Sequence, residues 1–317
     1  MDLDVLFLGT AGSAPTAQRG LPATLVRRGG ERLLFDCGEG TQRQLVRSIG
    51  LVAVDDVFLT HFHADHVLGL PGMLKTYGLH GRETPITVHG PRGLTRLFAD
   101  LAPLVGRLSY DVELVEVKPG EELARDGYSI AAFAVDHGVR ACGYAIVEGD
   151  RPGAFDAEGA RELGVQPGPD FGRLQRGETV NGVKPEQVMG SARRGRKVVL
   201  TGDTAPSELT RAVAWRADLL IHEATFAHEE AERAAEVRHS TARQAGELAR
   251  AAEVGMLAIT HVSPRNPGRE LRDEARAVFE RTILPHDFDR VEIPFPERGP
   301  PIRVKAEPVD RLARLSQ

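Results

Sequence analysis

The chain has 317 residues, of which 41% are hydrophobic and 27% charged, and its formal net charge is −5. This length allows one large core or about two smaller ones, and the ordinary composition excludes a disordered, collagen-like or wholly coiled-coil protein. The negative charge excludes a general attraction to nucleic acid, so a polyanionic partner needs a local basic surface. The sequence has neither the roughly 18-residue apolar run of a membrane helix nor a basic start, which predicts a cytoplasmic protein without membrane contact.

Short apolar runs alternate with segments of helical periodicity along the chain, which predicts an α/β fold. Twelve strands are expected, at residues 5–8, 23–27, 32–35, 57–59, 86–88, 112–117, 129–135, 142–147, 197–200, 218–221, 256–259 and 290–295. Seven helices are expected, at residues 41–49, 66–77, 93–101, 207–216, 226–238, 241–253 and 270–281. The two cysteines, Cys37 and Cys142, lie far apart and predict buried thiols rather than a disulfide framework.

Residues 149–185 interrupt the alternation of strands and helices, because eight glycines and four prolines fall within them. This composition predicts an excursion from the main core that cannot build a packed core of its own. Composition alone is compatible with a solvated loop, and basic residues lie in it or just after it at 173, 176, 184, 193, 194, 196 and 197. Residues 296–317 are rich in proline and arginine and are expected to form a loosely held tail.

The most specific pattern is HxHxDH at residues 61–66, directly after the strand expected at residues 57–59. Residues two apart point to the same side where a strand ends, so His61 and His63 can bind one metal ion. Asp65 and His66 are adjacent and diverge as the backbone turns into a helix, so they can bind a second ion. The motif therefore predicts a site for two metal ions.

Three other expected strands end in a residue that can bind metal, namely His137, Asp203 and His261. Loops that follow the strands of an α/β sheet gather in one crevice, so these side chains are expected to complete the ligand set. The predicted arrangement has two triads joined by a bridging Asp203: His61, His63 and His137 at one ion, and Asp65, His66 and His261 at the other.

Five imidazoles and two carboxylates suit Zn²⁺, and the same ligand chemistry admits Mn²⁺ or Fe. Pairs of ions about 3.5 to 4 Å apart are used for hydrolysis, because they make water nucleophilic at neutral pH. Asp65 can both bind metal and accept the proton of the attacking water. The residues thus predict a hydrolase and leave its substrate open.

These ligands, in this order, resemble those of the metallo-β-lactamase fold. The motifs LFLGT at residues 6–10, FDCGEGTQRQ at residues 35–44 and SPR at residues 263–265 are similar to those of the ribonuclease Z family in its short form. The resemblance covers nearly the whole chain. It implies an α/β fold, the αββα sandwich, in which two β-sheets pack face to face with helices outside. It also implies that residues 1–295 form a single catalytic domain, into which residues 149–185 are inserted.

The resemblance implies an activity as well, the endonucleolytic removal of the 3′ trailer from precursor tRNA by an enzyme with two Zn²⁺ per chain. In this family a glycine- and proline-rich exosite binds the tRNA body and serves the partner subunit. The resemblance therefore implies a homodimer in which residues 149–185 contact precursor tRNA. Arg173 and Arg176 in that segment, together with Arg265 near the ligand His261, are the candidate substrate-binding residues.

Two further motifs of the family are similar to segments of this chain, IHEATF at residues 221–226 and HST at residues 239–241. The resemblance implies that Glu223 and His239 form a pair that protonates or stabilises the leaving oxygen. Phosphodiester cleavage needs such a proton, and a histidine oriented by a carboxylate supplies it near neutral pH. His222 is expected to pack beside the site rather than to bind metal.

Two other functions are compatible with these residues. A small-molecule phosphodiesterase or thioesterase of the same fold would keep all seven ligands and gain nothing from residues 149–185. A metal-stabilised RNA-binding protein without turnover would leave Glu223 and His239 without a role. Incubation of the protein and metal with a 3′-extended precursor tRNA and with a generic phosphodiester separates these hypotheses.

Overall fold

A computed structural model describes residues 1–306 of the chain. The described strands are β1 (Leu3–Gly9), β2 (Ala23–Arg28), β3 (Glu31–Phe35), β4 (Asp56–Phe58), β5 (Ile86–Pro91), β6 (Val112–Val117), β7 (Glu122–Arg125), β8 (Tyr128–Ala134), β9 (Cys142–Glu148), β10 (Lys197–Leu200), β11 (Leu219–Glu223), β12 (Met256–Thr260), β13 (Thr282–Ile283), β14 (Arg290–Glu292) and β15 (Ile302–Val304). The described α-helices are α1 (Thr41–Ser48), α2 (Ala64–Val67), α3 (Gly69–Leu79), α4 (Leu94–Val105), α5 (Ala157–Glu162), α6 (Pro169–Gln175), α7 (Glu208–Ala214), α8 (Ala231–Glu236), α9 (Ala242–Ala251) and α10 (Gly268–Val278).

The strands form two mixed sheets. The first has the order β15-β14-β1-β2-β3-β4-β5-β6, and the second has the order β13-β12-β11-β10-β9-β8-β7. In the second sheet β10, β11 and β12 run parallel, so their carboxyl ends reach one edge, which we name the carboxyl edge. Strand β9 is antiparallel to β10, with Val147 opposite Lys197. The connection from β9 to β10 therefore leaves from the edge opposite the carboxyl edge.

The two sheets pack face to face, and helices cover both outer faces. Aromatic and aliphatic side chains fill the space between the sheets, including Phe7, Phe35, Phe58 and Tyr144. Helices α1, α3 and α4 cover the first sheet, and α7, α9 and α10 cover the second. This is the predicted αββα sandwich, and it is confirmed. Within residues 1–306 the longest helix, α4, has 12 residues, and none of the described helices is long and apolar enough to cross a bilayer.

All twelve predicted strands and seven predicted helical segments are present, with shifts at their ends. The segment expected at residues 226–238 is shorter, a 3₁₀ turn at His228–Glu230 followed by α8. Strands β7, β13 and β15 were not predicted. Strand β7 lies at a sheet edge and alternates between exposed and half-buried residues, and β13 has two residues, so neither gives an apolar pattern.

The expectation that the glycine- and proline-rich segment builds no core of its own is wrong. Helices α5 and α6 pack around a separate cluster made of Ala160, Val165, Leu174, Val180, Val183 and Val188. Two aromatic rings, Phe155 and Phe171, cover this cluster with their centroids 4.8 Å apart. The cluster extends past residue 185, and we name residues 149–196 the arm. Small apolar residues spaced between the turns provide enough burial for this satellite core.

The base of the arm is fixed to the sandwich by arginine–carboxylate pairs. Arg151 Nη2 donates to both carboxylate oxygens of Glu297, at 2.9 and 2.8 Å, and its guanidinium lies 3.5 Å from the ring centre of Phe295. Deeper in, the buried Arg196 donates to the two carboxylate oxygens of Glu148 at 2.6 and 2.8 Å. Paired charge-assisted bonds of this kind fix orientation. The arm thus has a well-defined direction relative to the sheets.

The expectation of a loosely held tail is wrong for residues 302–304. Strand β15 pairs antiparallel with β14, with Ile302 opposite Glu292 and Val304 opposite Arg290. Arg303 Nε also donates to Asp289 Oδ2 at 2.9 Å. The last part of the predicted tail, residues 307–317, lies outside the described residues.

Candidate metal centre

The seven predicted ligands meet at the carboxyl edge, where the segments after β4, β8, β10 and β12 converge. The possible ligand atoms of His61, His63, His137 and Asp203 all lie within 4.8 Å of one another. Those of Asp65, His66 and His261 form a second group within the same limit. The first two ligands of the HxHxDH motif, His61 and His63, thus fall in one group and the last two, Asp65 and His66, in the other, as the geometry at the end of a strand predicts. His63 is exposed, whereas His61 and His66 are buried.

Asp203 lies between the two groups. Its Oδ2 is 3.3 Å from His261 Nε2, 3.5 Å from His66 Nε2 and 3.8 Å from His61 Nε2. Imidazoles of both groups thus face the same carboxylate oxygen. Gly202, with φ 62°, precedes this residue, and a Cβ there would lie 2.8 Å from Thr60 Cβ. Glycine is required at this position because the backbone conformation and the neighbouring Thr60 both exclude a side chain.

The donor atoms of this cluster fit a divalent metal ion. Among the described residues His61 Nε2, His66 Nε2 and Asp203 Oδ1 are buried without a hydrogen-bond partner, which costs about 1 to 3 kcal/mol for each such atom. Burial and the neighbouring imidazoles lower the pKa of His61 to about 2, so its ring is neutral and its Nε2 lone pair is available. Imidazole nitrogens and carboxylates are ligands for divalent ions. The cluster is therefore a divalent metal site.

Asp36 orients two of the imidazoles from behind. His66 Nδ1 donates to Asp36 Oδ2 at 2.8 Å. The Thr60 hydroxyl donates to the same carboxylate at 3.0 Å and accepts from His61 Nδ1 at 3.0 Å. Both rings therefore present Nε2 to the metal site. A hydrogen bond to the other ring nitrogen usually fixes the orientation of a metal-binding histidine in this way. Asp36 has φ 56°, a left-handed conformation that the surrounding contacts must hold.

Thr225 orients the ligand from β12 in the same way. Its hydroxyl donates to Glu223 Oε2 at 2.6 Å and accepts from His261 Nδ1 at 2.8 Å. His261 Nε2 is thereby directed to Asp65 Oδ2, at 3.3 Å, and to Asp203. Gly12 lies against this ring, because a Cβ there would be 2.3 Å from His261 Nδ1.

The residues Asp36, Thr60 and Thr225 were not singled out from the sequence. Asp36 and Thr225 stand in family motifs quoted above, and Thr60 directly precedes the predicted ligand His61; these positions were the available signal.

Glu223 and His239 form a hydrogen-bonded pair beside the metal site. The Glu223 carboxylate is 2% exposed and accepts from His239 Nδ1 at 2.7 Å and from the backbone of Thr204 at 2.8 Å. Burial lowers the pKa of His239, but the hydrogen bond and charge of Glu223 outweigh it and raise the pKa to about 9. Because Glu223 is buried, its pairing with His239 is not a salt bridge on the protein surface. Because Nδ1 is engaged, Nε2 is the ring atom left for another contact.

The HST motif places His239 through its neighbours. Thr241 caps α9, since its hydroxyl accepts from Gln244 N while Gln244 Oε1 accepts from Thr241 N. Ser240 donates to the carbonyl oxygen of Thr204 at 2.6 Å. The HST segment is thus fixed both to the start of α9 and to the buried Thr204 after β10.

The other predicted residues lie farther from the ligand set. His222 is buried, with Nδ1 donating to Glu223 O at 2.8 Å, and belongs to neither ligand group. Arg265 is exposed, and its guanidinium lies 6.0 Å from the ring centre of Phe226. Arg265 lies close to the segment that holds His261. The other two candidate substrate-binding residues, Arg173 and Arg176, lie in the arm.

Arg173 and Arg176 lie in the arm and are both paired with acids of the arm. Arg173 Nε donates to Glu178 Oε2 at 2.9 Å and Nη1 to Asp170 Oδ1 at 3.2 Å, while Arg176 Nη2 is 3.4 Å from Glu178 Oε1. Residues 155–189 contain four basic and six acidic side chains. This outer part of the arm therefore has no excess of positive charge, and recognition by it must depend on shape and on individual groups.

A model of the metallo-beta-lactamase superfamily matches residues 20–261, so the fold and the site define a member of that superfamily. The ribonuclease Z of Halorubrum lacusprofundi is 46% identical over 94% of this chain and 99% of its own length. That of Archaeoglobus fulgidus is 44% identical over 92% of this chain and 98% of its own. The chain belongs to the ribonuclease Z family. The crystal structure of human tRNase Z, short form, is similar with a TM-score of 0.68 and 27% identity, over 92% of this chain and 99% of that one.

Proposed function

We propose that the protein is a metal-dependent endoribonuclease that removes the 3′ trailer from precursor tRNA and leaves a 3′-hydroxyl on the tRNA. The observation that carries this proposal is the buried Glu223–His239 pair beside a divalent metal site. Hydrolysis of a phosphodiester needs both a nucleophile and a proton for the leaving oxygen. Family membership supplies the substrate, since the relatives are named ribonuclease Z and the human neighbour tRNase Z. We place this reaction in the cytoplasm.

The site is proposed to hold two Zn²⁺ ions per chain, and Mn²⁺ or Fe also fits the donor set. The proposed ligands are His61, His63 and His137 for one ion, Asp65, His66 and His261 for the other, and Asp203 for both. Bound ions supply Lewis-acid chemistry, because they lower the pKa of water and offset the charge of the phosphate.

Asp65 is proposed to act as the base for the attacking water. Its Oδ2 accepts from Ser13 N at 2.8 Å, which fixes the orientation of the carboxylate. Burial raises the pKa of Asp65, but the hydrogen bond to His261 and the charge of His66 outweigh it and hold the pKa below its usual value. The carboxylate is therefore ionised at neutral pH, which is the form that a base must have.

His239 is proposed to protonate the leaving oxygen. The water oxygen bonds to phosphorus, the bond from phosphorus to O3′ of the tRNA breaks, and the proton of His239 Nε2 goes to O3′. The tRNA then carries a 3′-hydroxyl and the trailer a 5′-phosphate. Glu223 holds the ring by Nδ1 and stabilises its charged form. This division of roles, with a base on one side and an acid on the other, is usual for general acid–base catalysis.

The arm is proposed to bind the tRNA body for the active site of a second subunit. It leaves the sandwich between β9 and β10, at the edge opposite the metal centre. Its own satellite core and the fixed base allow it to project as a unit. An element that projects away from its own site is of most use to another copy of the chain, which supports a homodimer.

Deletion of the arm is expected to weaken the cleavage of precursor tRNA about 10-fold or more, mainly through KM, since the arm has no part in the chemistry. Gly153 and Gly190 are suitable points for a short linker, because a Cβ at Gly153 would lie 1.9 Å from Gly190 O. The salt dependence of KM should also flatten, by about 0.9 in log–log slope for each phosphate that the shortened protein no longer binds. Initial rates with precursor tRNA at several salt concentrations measure both effects.

A nitrophenyl phosphodiester serves as the control substrate, and its turnover is expected to survive the deletion. Precursor cleavage that is unchanged by the deletion would contradict a role of the arm in binding tRNA.

Metal analysis of the fully active protein is expected to give two ions per chain. Removal of the ions by a chelator should lower the melting temperature, because at 1,000 times Kd each ion contributes about 4 kcal/mol to stability. Thermal unfolding before and after chelation, with zinc restored in a third sample, tests this. An active sample with at most one ion per chain would contradict the two-ion assignment.

A further inference from the structure

A second concave surface lies beside the metal centre. It is a cleft of about 600 Å³, within the size range of ligand sites. We name it the basic cleft, because five cationic side chains line it: Arg19, Arg269, Arg272, Arg303 and Lys305. Asp289 is the one acid among the described lining residues.

One backbone segment forms a wall of both the basic cleft and the metal centre. Arg19 Nη1 donates to the Thr10 hydroxyl and, at 2.8 Å, to Pro285 O. Thr10 O accepts from the backbone of Val262, the residue after the ligand His261, at 3.1 Å. Three residues after Thr10, the backbone of Ser13 donates to Asp65. The segment from Thr10 to Arg19 therefore connects the metal centre with the basic cleft.

The charges of the basic cleft are only partly neutralised. Arg303 is paired with Asp289, and Arg272 Nη2 donates to Asp273 Oδ1 at 2.6 Å. Arg269 is 85% exposed and lies 3.6 Å from Asp273, which already binds Arg272, and Lys305 is exposed.

The pKa of His286, which lines the same cleft, is affected by the positive charges around it. Burial lowers its pKa, and the charges of Arg19, Arg303 and Lys305 lower the pKa further against the opposing charge of Asp289. The geometry and the charges thus describe a surface that attracts anions.

We propose that the basic cleft binds the phosphates of the single-stranded 3′ trailer of the substrate. This inference rests on the proposed function. Proteins hold single strands in cationic grooves that follow the backbone, whereas a folded duplex presents a broad convex surface. No Phe, Tyr or Trp is among the described lining residues, so the contacts are to phosphates rather than to stacked bases and do not depend on sequence. The tRNA body is assigned to the arm, at the opposite edge of the sandwich.

The test uses a double variant, Arg269→Gln with Lys305→Gln, and two precursors. One has a trailer of about two nucleotides, too short to fill a single-strand site, and the other a trailer of about twelve, within the roughly 4 to 16 nucleotides that such sites cover. The wild type is expected to have a lower KM for the longer trailer, about 10-fold at low salt. The double variant should lose this difference, and its log–log salt slope should fall by about 1.4, that is 0.7 for each phosphate contact of a single strand. Turnover of the nitrophenyl phosphodiester should not change.

Arg276→Gln is the matched control, because Arg276 is exposed on the same helix, α10, and does not line the cleft. If the double variant raises KM equally for both precursors, Arg269 and Lys305 contact the tRNA body rather than the trailer. That result would overturn the proposal. An unchanged KM for both would overturn it as well.

A direct binding measurement separates this inference from the proposed function. Fluorescence anisotropy with a labelled oligoribonucleotide of about twelve residues needs no cleavage. Loss of binding in the double variant, with binding kept in Arg276→Gln, supports the cleft even if the wild type does not cut precursor tRNA. A wild type that cuts the precursor and does not bind the oligonucleotide contradicts the cleft alone.

Discussion

Replacement of Asp65 by alanine is expected to abolish hydrolysis of both precursor tRNA and a nitrophenyl phosphodiester. The residue is proposed to bind metal and to accept the proton of the attacking water, so both functions disappear together. Loss of a single acid or base costs about 10² to 10⁴ in rate, and the loss of a ligand adds to it. We therefore expect turnover below about 10⁻⁴ of the wild type, measured with both substrates and alongside the metal content of the variant.

Asp100→Ala is the matched control, because Asp100 is exposed on α4 and far in sequence from every ligand. It should keep full activity and full metal content. Asp65→Ala with a tenth or more of wild-type turnover would show that neither the nucleophile nor the metal depends on this carboxylate. Asp65→Asn adds information, since it keeps the shape and one oxygen donor while removing the base.

The cluster of candidate metal ligands could be located from the sequence because the topology of the fold makes their positions regular. His61 follows β4, Asp203 follows β10 and His261 follows β12. Parallel strands place their carboxyl ends at one edge of each sheet, and the face-to-face packing of the sheets brings the end of β4 beside those of β10 and β12. Local sequence and global topology agree at this edge, and the prediction needed no more than that agreement.

The residues that orient the ligands could not be predicted in this way. Asp36 lies 30 residues from His66, and Thr225 lies 36 residues from His261. Their roles consist of hydrogen bonds between side chains that only the folded chain brings together, and Ser, Thr and Asp are common residues in loops. An acid near a strand end gives no sign of which imidazole it will orient. Hydrogen bonds between residues 30 or more positions apart in the chain can be identified only in the three-dimensional structure.

The arm shows a second limit of prediction from sequence. Its glycines and prolines indicated a departure from the sheet rhythm, and that departure is present. The satellite core went unpredicted because valines and alanines spaced by turns have neither the period of a strand nor that of a helix. The pairing of Arg173 with Asp170 and Glu178 likewise depends on how α6 ends. A count of charges finds the arginines and gives no information about their partners.

A metal-stabilised RNA-binding protein explains less of the site than an enzyme does. A buried carboxylate is costly unless it is paired, and Glu223 accepts hydrogen bonds from Thr204, Thr225 and His239. Structural zinc sites are closed by their ligands. Here the exposed His63 and half-buried His239 leave one side of the cluster open. An open cluster with an oriented histidine is what hydrolysis requires.

Replacement of His239 by alanine is expected to slow the cleavage of precursor tRNA by about 10² to 10⁴, with little loss of metal. The effect should depend on the leaving group. O3′ of the tRNA leaves as a basic alkoxide and needs a proton, whereas nitrophenolate is stable without one, so turnover of the nitrophenyl ester should fall much less. Glu223→Gln keeps the shape of the side chain and should give a smaller loss with the same dependence on the leaving group.

His228→Ala is the matched control, because His228 is exposed in the 3₁₀ turn after β11 and belongs to no ligand group among the described residues. The alternative role for His239 is that of a metal ligand, since ligand atoms of Asp203, His239 and His261 lie within 4.8 Å of one another. In that case His239→Ala would lose metal and would slow both substrates equally. Retained metal together with unequal losses for the two leaving groups places His239 at the leaving oxygen.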